Sequence, residues 1–131
     1  MDSHGLLDTS VVIDHDLIDS HRLPKASAVS SITVAELTVG PLAARDDEER
    51  ARRQDRLHWV VATWEPLPFD AGAARAYGRI YSMLMARGRV GRRRFADLLI
   101  AATAVSQGLP LYTRNSKDLA GLERLLVVRA V

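Results

Sequence analysis

Short apolar runs that end on an acid or a hydroxyl residue alternate with longer segments patterned at helical spacing. "HGLLD" reads as a short buried strand ending at Asp8, and "TSVVIDHDLID" as the helical segment that follows. "SAVSS" is a second strand leading into a helix through "ITVAELTVGPLAA", which Pro41 breaks or kinks. "RDDEERARRQDRLHWVVATW" is a helix whose interleaved Arg and acids suit a solvated face held by i,i+4 pairs. "EPLPF" reads as a strand closed by Asp70, which caps the helix "AGAARAYGRIYSMLMARG" ending at Gly88. "RRRFADLLIAATAVSQG" is a further helix stopped by Gly108. "LPLYT" is a strand, "SKDLAGL" a short helix and "LLVVRA" the last strand.

Strands alternating with helices require crossover connections, and so a parallel sheet covered on both faces. The expected fold class is α/β: an α/β/α sandwich with a four- to five-stranded parallel sheet, one domain over residues 1–131. Composition fits, since 47% of the 131 residues are apolar and 26% charged. No apolar stretch has the length of a bilayer span, and "MDSHGLL" lacks the basic start and apolar core of a signal peptide. With no cysteine, disulfides, thiol nucleophiles and Cys-ligated zinc are excluded, and a cytoplasmic location is expected.

Ligands of open parallel sheets bind beyond the carboxyl ends of the strands, so the polar residues there are the candidates for chemistry. Asp8 follows Leu6 and Leu7 directly; Thr113 and Asn115 follow "LPLY", with Asp118 a little further on. Glu36 lies near the start of the helix after the second strand, and Asp97 early in the helix after "GRRR". Taken singly, each has a structural explanation. Asp8 can cap the next helix, Thr33 and Glu36 have the spacing of a capping box, Asp97 can complement a helix dipole, and Asn115 and Asp118 suit a turn or cap.

Asp97 strains that explanation most, because "FADLLIAATAV" is apolar on nearly every face and marks a buried helix. A carboxylate at its near end is costly to desolvate unless paired or metal-bound. Acids converging from separate segments would also repel one another, and a divalent cation removes that cost. Carboxylates with an amide suit Mg²⁺ or Mn²⁺. His4, His15, His21 and His58 show no paired spacing for zinc.

The stretches "LLDTSVVID", "SSITVAEL", "RRRFADLLIAATA" and "LPLYTRNSKDL" occur in the order and spacing of PIN-domain ribonucleases. More narrowly, the chain resembles VapC-type toxins of bacterial toxin–antitoxin modules. The resemblance implies an α/β/α endoribonuclease dependent on Mg²⁺ or Mn²⁺, whose products carry 5′-phosphate and 3′-hydroxyl ends. It puts the family's acids on Asp8, Glu36 and Asp97, with Asp8 and Asp97 as metal ligands and Glu36 binding directly or through water. The fourth catalytic position falls on Asn115, where family members often have Asp, so that ligand is neutral here. Ser10, Thr113 and Asp118 are implied supports. The resemblance also implies a VapB-type antitoxin as partner, and a homodimer or a heteromer with that antitoxin.

The net charge of +2 is too small to argue for nucleic acid, but the placement of Arg matters more. Ala71 to Ala96 contains Arg75, Arg79, Arg87, Arg89, Arg92, Arg93 and Arg94 and no acid. Arg87, Arg89, Arg92, Arg93 and Arg94 lie in or beside a Gly-containing loop next to Asp97, suited to holding an RNA backbone. Arg114 joins that set. Trp59 and Trp64 lie in an apolar helical context and are expected in the core or an interface. Two other readings remain. An aspartyl-phosphate phosphatase would need a second acid at position 10, which is Ser; a non-catalytic α/β binding module would use the acids only as caps.

Overall fold

The computed structural model describes residues 2–88 and 95–131. Among these, four strands pair in parallel: β1 (His4–Leu7), β2 (Ala26–Ala28), β3 (Leu111–Thr113) and β4 (Val128–Ala130), ordered β2-β1-β3-β4. Five α-helices accompany them: α1 (Thr9–Ile13), α2 (Ser31–Val39), α3 (Asp47–Thr63), α4 (Ala71–Ala86) and α5 (Phe95–Gln107). The parallel sheet of the α/β expectation is therefore present, at the lower of the two strand numbers.

Alternation along the central strands sorts the core into two faces. Leu6 and Leu111 pack with α4 and α5 around Ile80, Leu84, Ile100 and Ala101. Leu7 and Tyr112 pack on the opposite side with Val11, Val12, Leu37 and Val60 from α1, α2 and α3. Helices thus cover both faces of the sheet. α5 is buried along most of its length, as its all-round apolar pattern requires.

The element boundaries follow local chemistry. α2 ends at Val39 and tightens into a 3-10 turn over Gly40–Ala43, because Pro41 offers no N–H to the helix ladder. Asp70 caps α4 by accepting from the Ala73 amide at 3.0 Å. α5 stops at Gly108, whose φ of 67° takes the left-handed conformation. Gly108 N–H bonds Val105 O and Leu109 N–H bonds Ala104 O, a Schellman closure that turns the chain into β3. On α3, Arg45 and Arg53 pair with Glu49, Arg52 with Glu48 and Arg50 with Asp47, as the charge pattern predicts.

Three expectations are revised. "EPLPF" forms only a single bridge, Leu67 with Ser30, because the prolines at 66 and 68 cannot donate to a longer ladder. "TSVVIDHDLID" is not one helix: α1 ends at Ile13 and a 3-10 turn follows over His15–Leu17. "SKDLAGL" is reduced to a 3-10 turn over Ser116–Leu119.

The N-terminal segment is fastened to the far side of the sheet. Asp2 accepts from the Tyr112 hydroxyl at 2.7 Å and from Arg129 Nε at 2.9 Å. The Arg129 hydrogen bond, helped by Tyr112, lowers the Asp2 carboxyl from 3.8 to about 2. Gly5 lies under the same tyrosine, where an added Cβ would fall 2.6 Å from Tyr112 Cε1.

Two measurements follow. A folded-state pKa below the unfolded one stabilises the fold above 3.8, and that contribution disappears as pH falls through about 2. Melting temperatures of wild type and Asp2→Asn should therefore differ above pH 4 and converge toward pH 2. Gly5→Ala should cost about 1–3 kcal/mol in urea unfolding, since the buried ring must move to admit a methyl group.

Candidate active site

Asp8 closes β1 at the carboxyl edge of the sheet. Its amide still bonds Tyr112 O of β3 at 2.9 Å, and its carbonyl accepts the first helical bonds from Val11 and Val12 of α1. Strand and helix therefore fix the Asp8 backbone from both sides. The side chain is only 6% exposed. Its Oδ1 accepts from Thr9 N at 2.9 Å, while Oδ2 accepts from Ser10 Oγ at 3.0 Å and from Thr113 Oγ1 at 2.8 Å. No Lys, Arg or His among the described residues forms an ion pair with it.

Thr113 and Ser10 also bind the segment after β3. Asn115 N–H donates to Thr113 Oγ1 at 3.0 Å, and Arg114 N–H donates to Ser10 Oγ at 3.2 Å. The loop carrying Asn115 is thereby tied to the Asp8 carboxylate through two hydroxyls.

Glu36 joins from α2. The capping box expected of Thr33 and Glu36 does not form, because Ser30 is the N-cap and its Oγ accepts from Thr33 N at 3.1 Å. Glu36 Oε1 instead accepts from Thr9 Oγ1 at 2.7 Å. Each hydroxyl has one proton, so the bond orientations are fixed in sequence. Ser30 donates to Thr33 at 3.4 Å, Thr33 donates to Thr9 at 2.9 Å, and Thr9 donates to Glu36. Thr9 is the junction, with its N–H on Asp8 and its hydroxyl on Glu36.

The remaining expected residues are placed less tightly. α5 runs into the start of β3 through Gly108, opposite in direction to the strands, so Asp97 in its first turn lies toward the same carboxyl edge. Asp97 is half-buried and does not enter the Asp8 hydrogen-bond set. Asn115 and Asp118 are exposed, and the Asn115 side chain caps nothing in the following 3-10 turn. Arg114 is exposed, with Nε 3.4 Å from Asp14 Oδ2. Arg87 is the exposed C-cap of α4, whereas Arg89, Arg92, Arg93 and Arg94 lie outside the described residues. Trp59 and Trp64 form an edge-on cluster with His15, at ring distances of 5.0 to 6.3 Å, on the α3 side.

The site offers oxygen donors throughout, which is the preference of a hard divalent cation. Among the described residues no group of three or more His, Asp or Glu is gathered closely enough to hold a metal ion. Asp8 is buried, held by three neutral donors and, among the described residues, without a countercharge. Sequence reasoning did not assign Ser30 or Thr33 to the site, and the signal for them was the density of hydroxyls in "SSIT".

Comparison with known proteins agrees with this geometry. The PIN domain family model matches residues 5–124. Ribonuclease VapC5 of Mycobacterium tuberculosis is 42% identical over 122 residues, covering 91% of this chain and 87% of that protein. VapC ribonuclease Y4jK of Sinorhizobium fredii is 37% identical over 100 residues, covering 72% of this chain and 70% of the relative. Among solved structures, VapBC-5, a toxin–antitoxin system from Mycobacterium tuberculosis, superposes with a TM-score of 0.85 at 40% identity, over 98% of both chains. VapBC2 of Rickettsia felis, bound to a DNA fragment from its promoter, gives a TM-score of 0.78 at 25% identity, over 98% of both chains. The chain belongs to the PIN domain family, in its VapC group.

The Thr113 hydroxyl, 1% exposed, serves both Asp8 and the Asn115 amide. Thr113→Val should lower the unfolding free energy by about 1–3 kcal/mol, the cost of leaving buried polar groups unpaired. Thr113→Ser, which keeps the hydroxyl, should stay close to wild type in the same urea titration.

Proposed function

We propose that this protein is a Mg²⁺- or Mn²⁺-dependent endoribonuclease, the toxin of a toxin–antitoxin pair, which hydrolyses RNA phosphodiester bonds. The observation that carries this reading is the Asp8 carboxylate. It is buried at the sheet's carboxyl edge, held by three donors, unbalanced by any described cation, and coupled to Glu36 through Thr9. Membership of the VapC group supports the choice of RNA over other phosphodiesters.

In this reading Asp8 and Asp97 hold the cation, with Glu36 binding directly or through water and Asn115 as a neutral fourth position. A cation held there would supply Lewis-acid chemistry, acidifying water and offsetting charge on the phosphoryl oxygens. Ser10 and Thr113 fix the Asp8 carboxylate, and Thr9 fixes Glu36 by its Oε1. Glu36, so oriented, directs the attacking water in line with the scissile bond. Attack by water oxygen on phosphorus breaks the bond to the 3′-oxygen. That oxygen leaves with a proton, giving 5′-phosphate and 3′-hydroxyl ends. Asp118 supports the loop behind Asn115, and Arg87, Arg89, Arg92, Arg93, Arg94 and Arg114 contact RNA phosphates. The partner is a VapB-type antitoxin, in keeping with the toxin–antitoxin complexes among the structural relatives. The toxin acts in the cytoplasm, as a homodimer when the antitoxin is absent.

Purified protein incubated with structured RNA should cleave it in Mg²⁺ and leave it intact in EDTA. Asp8→Asn and Asp97→Ala should each lose at least about a hundredfold in rate, and Thr9→Val about tenfold, as expected of a residue that orients a metal ligand. Cleavage that persists in EDTA, or full activity of Asp8→Asn, overturns the reading.

A further inference from the structure

The arginines of this chain fall into two electrostatic classes. On α3 and just before it, Arg45, Arg50, Arg52 and Arg53 each pair with an acid of the same segment, Arg45 and Arg53 sharing Glu49. On α4 the pattern reverses: Arg75, Arg79 and Arg87 are exposed, and none forms an ion pair among the described residues. Together with Arg124, from the segment before β4, they line an open groove of about 690 Å³ to which no acid contributes. Exposed like charges gathered without counterions repel one another, so such a groove is arranged at some cost to the fold.

Its geometry suits a repeating anion. Arg75 and Arg79 are four residues apart on one helix face, about 6 Å along the axis, and Arg87 lies two further turns on, about 12 Å beyond. The lining stripe is thus about 18 Å long, enough for several phosphates of an extended nucleic-acid strand to lie along it. Gly78 and Ser82 keep the groove wall low between the arginines, and a Cβ at Gly78 would meet nothing within 4 Å. The groove also points toward the candidate site. A Cβ at Gly72, at the start of α4, would lie 2.9 Å from Ser106 Oγ, at the end of α5. The two helices are therefore antiparallel, and the Arg87 end of α4 lies toward the end of α5 that carries Asp97.

We propose that this groove is a track for the flank of the substrate RNA, with Arg75, Arg79 and Arg124 contacting backbone phosphates away from the cleaved bond. The inference rests on the ribonuclease reading of the site and extends it: affinity is supplied by a surface separate from the one that performs hydrolysis. Long RNAs gain from the track, whereas a fragment that fills only the cleavage site does not.

The test uses two fluorescein-labelled single-stranded RNAs, one a few nucleotides long and one several times longer. Binding to the full chain is measured in EDTA across a salt series, and cleavage is then measured in Mg²⁺. The triple variant Arg75→Gln, Arg79→Gln, Arg124→Gln should weaken binding of the long RNA about tenfold or more. It should also flatten the slope of log affinity against log salt by about 2, the value for three lost single-strand phosphate contacts. It should raise KM for the long RNA, leave kcat unchanged and leave the short RNA unaffected.

Gly78→Glu inserts a carboxylate into open space at a helical position that favours Glu over Gly, so it should fold normally and weaken long-RNA binding. Gly78→Gln should not weaken it. Replacing the exposed, ion-paired Arg45 and Arg50 by Gln removes charge at and before α3 and should change the slope little. An unchanged salt slope and KM in the triple variant, with wild type still cleaving, overturns the groove alone. Length-dependent binding lost in the triple variant, with no metal-dependent cleavage by wild type, overturns the ribonuclease reading and leaves the groove standing. Tighter binding of duplex DNA than of RNA, lost in the triple variant, overturns RNA as the occupant.

Discussion

A carboxylate held by neutral donors alone is the interaction on which this architecture turns. Asp8 sits where β1 gives way to α1, and it binds the end of β3 through Thr113 and the start of α1 through Thr9 and Ser10. Three donors orient the group, but none cancels its charge. Burial without a countercharge is unfavourable, so the same arrangement that organises the sheet edge also concentrates negative charge there. Stability and chemistry therefore draw on one constellation, and the loop carrying Asn115 inherits its position from it.

Most of the fold was legible because its signals are local and periodic. Leu6 and Leu7 alternate between two cores, the all-round apolar pattern of α5 marks burial, and Gly108 marks a helix stop. The charge-paired helix α3 was readable in the same way. Where local signals compete, the sequence is ambiguous. Ser30 and Thr33 both offer a cap to α2, and only the position of Thr9, 24 residues from Thr33 in the chain, decides how Glu36 is used. "EPLPF" has the apolar content of a strand, yet its flanking prolines limit it to one bridge. At the site, the acids were legible first from their places at the strand ends, and the family resemblance then joined them as a set. Ser10 and Thr113 were legible as supports through that resemblance, whereas Ser30 and Thr33 were not, since Ser and Thr serve caps and turns throughout proteins.

The distribution of arginine illustrates why a net charge conveys little. The chain's formal charge is +2, yet most arginines on and just before α3 pair with neighbouring acids, while those along α4 form no ion pair among the described residues. Placement in three dimensions, which the sequence expresses only as helical spacing, separates a solvated face from a surface with affinity for polyanions.

The prolines that curtail the Leu67 segment bear on how copies of the protein meet at high concentration. A sheet of strands three or four residues long has two borders whose unpaired amides and carbonyls invite a foreign strand. At one border, β2 is three residues long, preceded by Pro24 and Lys25, and beyond it Pro66 and Pro68 deny a continuous row of donors. At the other, β4 is equally short and carries Arg129 at its centre. Neither border is a template for edge-to-edge growth, which leaves helical surfaces as the natural ground for self-association and for partner binding.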